Sequence, residues 1–174
     1  MASFVTQYGE AFVGSGPEAA HLNTVLGVKG GPVETAWCTA LATPREGHVG
    51  FVVVAQPNIP VYPMTLFVNK ATVASDTHAT LTWGPAQLGV ASGVLDALAN
   101  GDIPLAQLHE LLLIAAVWVD PAATDADAVY INNRAATSAS LARGRVTQVD
   151  VDALLAVRDT PLNGYYVPAS VRDR

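Results

Sequence analysis

His21 stands two residues before Asn23, in the apolar stretch from Ala19 to Leu26. Alternation along a strand puts both side chains on one face. An imidazole placed there can take up and return a proton near neutral pH. Two readings stand together: a proton carrier, or a histidine whose nitrogens serve the structure. Lys70 and Thr72 form a second pair at the same spacing, in a strand read from Thr65 to Val73. A lysine within an apolar strand needs solvent, a partner or an anion for its ammonium, and the plainer reading is a lysine snorkelling from an exposed face. Gln87 follows Gly84-Pro85-Ala86, where the glycine-proline pair predicts a bend or a helix start. In a first helical turn its amide offers both a donor and an acceptor.

The remaining candidates are weaker. Gly27-Val28-Lys29-Gly30-Gly31-Pro32 precedes a helix and could cradle an anion, but it matches neither the P-loop nor the dinucleotide fingerprint and reads as a tight turn. His48, His78 and His109 fall in predicted loops or on helix surfaces. No two histidines stand at metal spacing, so no zinc or other metal site is expected. Cys38, the single cysteine, lies mid-helix and reads as a small apolar packing residue. It permits no intrachain disulfide, which fits a reducing compartment.

The elements that must position these groups alternate. Strands are predicted for Phe4 to Val13 and Ala19 to Leu26, joined by the Gly14-Ser15-Gly16-Pro17 turn. A helix begins at Pro32, with Glu34 in its first turn, and stops at Pro44. Val49 to Ala55 reads as a strand buried on both faces. Ser75 caps a helical stretch that reaches Ala99 past Gly84-Pro85, and Asn100-Gly101 ends it. Leu111 to Val119 reads as a strand, although Leu105 to Leu113 could begin as a helix, and Asp125 to Arg143 is an amphipathic helix. The pattern predicts an α/β domain of two layers over residues 1–146. Residues 147–174 read as an extension, with one more helix near Val151 to Arg158 and an apolar Tyr165-Tyr166, docked on its own subunit or a neighbour.

Composition agrees with a compact domain. Of 174 residues, 51% are hydrophobic and 14% charged, which excludes disorder for most of the chain. The net charge of −6 argues against a nucleic-acid partner, which would demand clustered Lys and Arg. So few charges on so apolar a chain suggest surface buried against copies of itself. The longest apolar run, Leu111 to Val119, is well short of the roughly 20 residues of a membrane helix, and the first residues carry no signal-peptide pattern. A cytoplasmic protein with no membrane contact is expected.

In register along the chain stand Gly9-Glu10-Ala11-Phe12-Val13-Gly14, Glu18-Ala19-Ala20-His21-Leu22 and Gly31-Pro32-Val33-Glu34-Thr35-Ala36-Trp37-Cys38. Pro57-Asn58, Asn69-Lys70, Gly84-Pro85-Ala86-Gln87 and Gly89-Val90-Ala91 follow. Over roughly residues 8–145 these segments resemble the formaldehyde-activating enzyme family. The resemblance implies a two-layer α/β sandwich like the second domain of ribosomal protein S5. It also implies a homopentamer with active sites between subunits. The implied reaction is a hydro-lyase condensation of formaldehyde with tetrahydromethanopterin, the reduced pterin serving as substrate. His21 takes the family's proton-donor position; Asn23, Val52, Lys70, Thr72 and Gln87 fall on its pterin-binding positions. Two departures stand out. The family usually carries aspartate where this chain has Asn23, and histidine where it has Leu88. A carboxylate at position 23 would raise the basicity of the neighbouring imidazole; an amide does only part of that.

Three functions compete on this reading: the family reaction, a related condensation of another aldehyde and amine, and a non-catalytic binder of a pterin-like or aldehyde-derived ligand. A variant of the second makes Lys70 an imine-forming residue with a depressed pKa. A cleft closed by the C-terminal extension or by Tyr62 would weigh against the family substrate.

Overall fold

The computed structural model describes residues 4–146 and 150–172. β1 (Gln7–Val13) and β2 (Ala20–Val28) form an antiparallel hairpin, with Glu10 opposite Asn23 and Phe12 opposite His21. Gly14 and Gly16, at φ +88° and +67°, make the turn that the sequence marks. β2 pairs antiparallel with β7 (Leu111–Trp118), and β7 pairs parallel with β6 (Met64–Asn69). The two-residue β3 (Phe51–Val52) closes the order β1-β2-β7-β6-β3. A mixed sheet with helices crossing between parallel strands is an α/β fold, as expected.

One face of this sheet carries the core. Leu22, Leu26, Phe67, Leu113, Ala115 and Val117 point to it and are buried. α3 (Gln87–Ala99) and α4 (Ala126–Gly144) cover them, and α4 lies directly on β1 and β2. The approach is close because glycine permits it. A Cβ on Gly9 would lie 1.9 Å from the Ser140 carbonyl oxygen, and one on Gly93 would lie 2.5 Å from Thr137 Cβ. The Thr24 and Ser140 hydroxyls bond at 2.8 Å across the same contact, so these buried polar groups are satisfied.

The opposite face holds His21, Asn23 and Val25 in β2, and Ala116 and Trp118 beside them in β7. α1 (Pro32–Ala42) lies against the far end of this face, where Val33 packs over Gly27 and is the helix's one buried residue. The rest of that face stays open around His21.

Several expectations change. Val49 to Ala55 is not one doubly buried strand. It splits into edge strand β3 and β4 (Val54–Gln56), which forms a separate ribbon with β5 (Ile59–Pro60), and only Val53 is fully buried. An edge position covers one side, so apolar content alone overstates burial. At Gly84-Pro85 the helical stretch is distorted but continues, as expected: α2 (Asp76–Leu81) passes through a π-helical turn at Thr82–Ala86 into α3. Ser75 caps α2 by accepting from the His78 backbone N–H, as expected. His78 is buried rather than on a helix surface, with Nδ1 accepting from the Ala74 N–H and Nε2 bonded to the Val119 carbonyl. Cys38 is exposed rather than packed, because α1 turns most of its residues outward. The Gly27–Pro32 segment is a tight turn, as expected, where the Glu34 carboxylate accepts from the Gly30 N–H at 2.8 Å.

Among the described residues no helix is long and apolar enough to cross a membrane. The C-terminal segment carries α5 (Val151–Ala156) and α6 (Ala169–Arg172), with Pro161–Tyr166 between them.

Candidate active site

β2 presents His21 and Asn23 on the open face, as alternation requires. Lys70 follows the last residue of β6. Its N–H still bonds to the Val117 carbonyl, which extends the parallel ladder by one step and keeps Lys70 on the His21 face. Its ammonium donates to Asn23 Oδ1 at 2.7 Å and reaches His21 Nδ1 at 3.3 Å. On the other side, His21 Nε2 lies 3.0 Å from Glu10 Oε1. The order is therefore carboxylate, imidazole, ammonium, amide.

This order fixes the tautomer. An ammonium only donates, so His21 Nδ1 is the acceptor in the neutral ring. Nε2 then carries the hydrogen and donates to Glu10. A carboxylate on one ring nitrogen with the other nitrogen working is the arrangement of a hydrolase His–Asp pair. Burial pulls the His21 pKa below its usual 6.5, and the Lys70 charge adds to this; Glu10 opposes both through its charge and hydrogen bond. Burial also lowers the Lys70 pKa, against the pull of Glu10. Near neutral pH the imidazole is uncharged and ready to accept a proton.

Glu10 is the residue that sequence reasoning missed. It belongs to β1, opposite Asn23 in the antiparallel register. The signal was present: the hairpin pairs residues whose numbers sum to a constant, and Glu10 falls on the His21 face. The neighbouring strand thus places a carboxylate beside His21, while Asn23 bonds Lys70 instead.

One expectation fails on geometry. Thr72 does not share a strand face with Lys70, because β6 ends at Asn69 and the chain bends there. The Asn69 amide holds that bend by donating to the Gly47 and Ala71 carbonyls, and Thr72 Oγ1 bonds His48 Nε2 at 2.9 Å. Val52 lies opposite Leu66 on the edge strand, three strand spacings, or about 14 Å, from β2.

Gln87 is elsewhere too. Its Nε2 donates to the Val54 carbonyl at 2.7 Å, in a cleft of about 330 Å³ between Val54–Pro57 and Gly84–Leu88. Leu88 is exposed at its rim. The His21 cleft, about 410 Å³, is lined by His21, Lys70, Trp118 and Tyr165, and shares no lining residue with the Gln87 cleft. The chain thus gathers His21, Asn23 and Lys70 in one place and leaves Val52, Thr72 and Gln87 outside it. Tyr165 reaches His21 from the C-terminal segment, yet the cleft stays open beside it. Tyr62 does not cover it: its ring meets His109 edge-on.

The charge order has a checkable consequence. Lys70→Met removes a positive neighbour and should raise the His21 pKa. Glu10→Gln removes the opposing carboxylate and should lower it further. Proton NMR of the imidazole C–H resonances would show both, and shifts in the same direction would refute the arrangement.

Comparison with known proteins gives an independent result. The family model described as formaldehyde-activating enzyme (Fae) matches residues 8–165. A 5,6,7,8-tetrahydromethanopterin hydro-lyase of Methanosarcina barkeri is 42% identical over 152 residues, which cover 87% of this chain and 85% of that protein. A bifunctional enzyme Fae/Hps of Methanothrix thermoacetophila is 38% identical over 91% of this chain and 41% of its own length. One from Methanosphaera stadtmanae is 37% identical over 94% and 41%. The chain therefore spans about two fifths of these bifunctional relatives. The family match runs past residue 146 and ends at Tyr165 itself. The chain belongs to the formaldehyde-activating enzyme family.

Proposed function

We propose that this protein condenses formaldehyde with tetrahydromethanopterin, or a closely related reduced pterin, to the methylene adduct and water. The observation that carries the proposal is the His21 imidazole held between Glu10 and Lys70 in an open cleft. In this reaction two amine nitrogens become bonded to one carbon, and both amine protons leave with the carbonyl oxygen.

The first amine attacks the carbonyl carbon, and the C=O π pair moves to oxygen. Lys70 Nζ is the donor placed to stabilise that oxygen, since its bond to His21 is the longer of its two. His21 Nδ1 takes the ammonium proton and passes it to the oxygen, giving the carbinolamine. For dehydration, a proton from solvent loads Nδ1, and Glu10 on Nε2 stabilises the imidazolium. That proton goes to the hydroxyl as the C–O bond breaks and the nitrogen lone pair forms the iminium. The second amine closes the ring on the iminium carbon and returns its proton to Nδ1. A lowered His21 pKa makes the imidazolium a stronger acid for the dehydration step.

We assign His21 as the proton carrier, Asn23 and Lys70 to the pterin-binding side of this cleft, and Val52, Thr72 and Gln87 to a complementary side. Because the two sets lie apart in one chain, the complete site is formed between subunits of a homo-oligomer, a pentamer by family resemblance. The exposed apolar residues of α1, with Leu41 40% exposed, support such an assembly. The core domain over residues 1–146, with residues 147–174 docked on it or on a neighbour, and a cytoplasmic location belong to the same proposal.

The test is the rate of methylene formation from formaldehyde and tetrahydromethanopterin. The protein should raise it well above the spontaneous rate, and no acceleration would refute the proposal. The second reading, a different amine, is favoured by one observation: Asn23 uses its one acceptor oxygen to hold Lys70, where a carboxylate would have a second oxygen left to accept a pterin N–H. A screen of amines showing His21-dependent turnover without response to the pterin would select it.

A further inference from the structure

The polar groups of the His21 cleft can orient a ligand but do not define a plane for it. The aromatic groups do. In register, His21 is flanked by Phe12 on β1 and Trp118 on β7. Tyr165 comes over the top from the C-terminal segment. Its ring meets His21 edge-on at 5.3 Å and Phe12 edge-on at 4.9 Å.

The turn that delivers Tyr165 is built for this contact. Asn163 Oδ1 accepts from the Tyr165 and Tyr166 N–H groups, both at 2.9 Å, and the Asn163 N–H donates to the Tyr166 carbonyl. Gly164 sits flat on the Phe12 ring, where a Cβ would fall 2.3 Å from Phe12 Cγ. A side chain at position 164 would force either the turn or the Phe12 ring to shift. Two self-bonding atoms and one obligatory close approach thus aim a single side chain. That side chain is nevertheless 60% exposed. Among the described residues its hydroxyl has no hydrogen-bond partner, so nothing uses its polar end. A ring in T-shaped contact with two neighbours yet still largely exposed, lining a cleft with a tryptophan and a lysine, is a wall awaiting a flat ligand.

We propose that Tyr165 is a substrate-binding residue, and that its ring and Trp118 are the aromatic walls that hold the pterin ring system over His21. This rests on the condensation reading above and deepens it by naming what fixes the plane of the pterin. The polar hooks His21, Asn23 and Lys70 then set rotation within that plane. The C-terminal turn becomes part of the site and not merely a neighbour of it.

The test separates binding from chemistry. Calorimetric titration with tetrahydromethanopterin alone, without formaldehyde, should show Tyr165→Ala weakening binding by about five- to a hundredfold, the range that ring stacking commands. Tyr165→Phe should stay within about twofold of wild type, because the ring is used and the hydroxyl is not. In turnover, Tyr165→Ala should raise KM by a similar factor and leave kcat much less changed. Binding by Tyr165→Ala as tight as wild type, or tighter, would overturn the inference; the tighter result would mean that the turn obstructs entry. Loss in Tyr165→Phe equal to that in Tyr165→Ala would overturn it as well. The two proposals fail separately. Tyr165-dependent pterin binding without acceleration by wild type refutes the condensation alone. Acceleration with Tyr165-independent binding refutes this inference alone, and a wild type that binds no pterin refutes both.

Discussion

Replacing His21 with alanine should lower the catalysed condensation by about 10²- to 10⁴-fold, the usual contribution of a positioned acid–base group. Single-turnover kinetics at saturating pterin would read this without interference from binding. The loss should fall on the dehydration step. The proton that His21 moves in the first attack can also be carried by water, whereas breaking the C–O bond needs a proton delivered to a hydroxyl. Carbinolamine should therefore accumulate in the variant. Folding is not at stake, because His21 is only partly buried and its neighbours on the open face make no core. A variant retaining the full wild-type rate would remove His21 from the mechanism. In that event Lys70, with its lowered pKa, would be the next candidate.

An equally large effect is expected from mixing two inactive proteins. Gln87→Ala and His21→Ala each damage one of the two clefts, which share no lining residue. If one site takes its His21 side from one subunit and its Gln87 side from the next, co-production restores intact sites. Random mixing in equal amounts should return about one quarter of wild-type activity per site, by the statistics of neighbouring pairs in a closed ring. Sites confined to single chains would return nothing. The measurement is the activity of oligomers purified through two different tags, one on each variant. Activity no greater than the sum of the separate variants would reject the shared site.

The legible parts of the fold were those governed by local rules. Ser75 capping α2, Gly101 ending α3 and the glycine turn before β2 follow from backbone chemistry that few residues satisfy. His21 and Asn23 share a face because strand alternation has no exceptions within a regular β2. Prediction failed where a strand ended or lay at an edge. Thr72 needed β6 to continue past Asn69 as far as Thr72 itself, but the Asn69 amide turns the chain by capturing two carbonyls. Val49 to Ala55 looked like core because side-chain type does not reveal how many neighbours a strand has. His78 looked exposed because both its partners are main-chain atoms, which no residue pattern announces. Glu10 was missed for a different reason. Its importance comes from a partner eleven residues away, and only hairpin register links the two.

The parallel pairing of β6 with β7 has a meaning for how the protein comes into being. The hairpin bearing Glu10, His21 and Asn23 is local and can close early, at little cost in chain entropy. Lys70 and Trp118 join it only when β7 docks between β2 and β6, a long-range step. Until then the imidazole is open to water and has a carboxylate but no ammonium beside it. Its titration should stay near or above the ordinary histidine value, and fall only as the last strands lock. The same side chain proposed to carry protons would thus report, in a refolding experiment, the moment at which the sheet is complete.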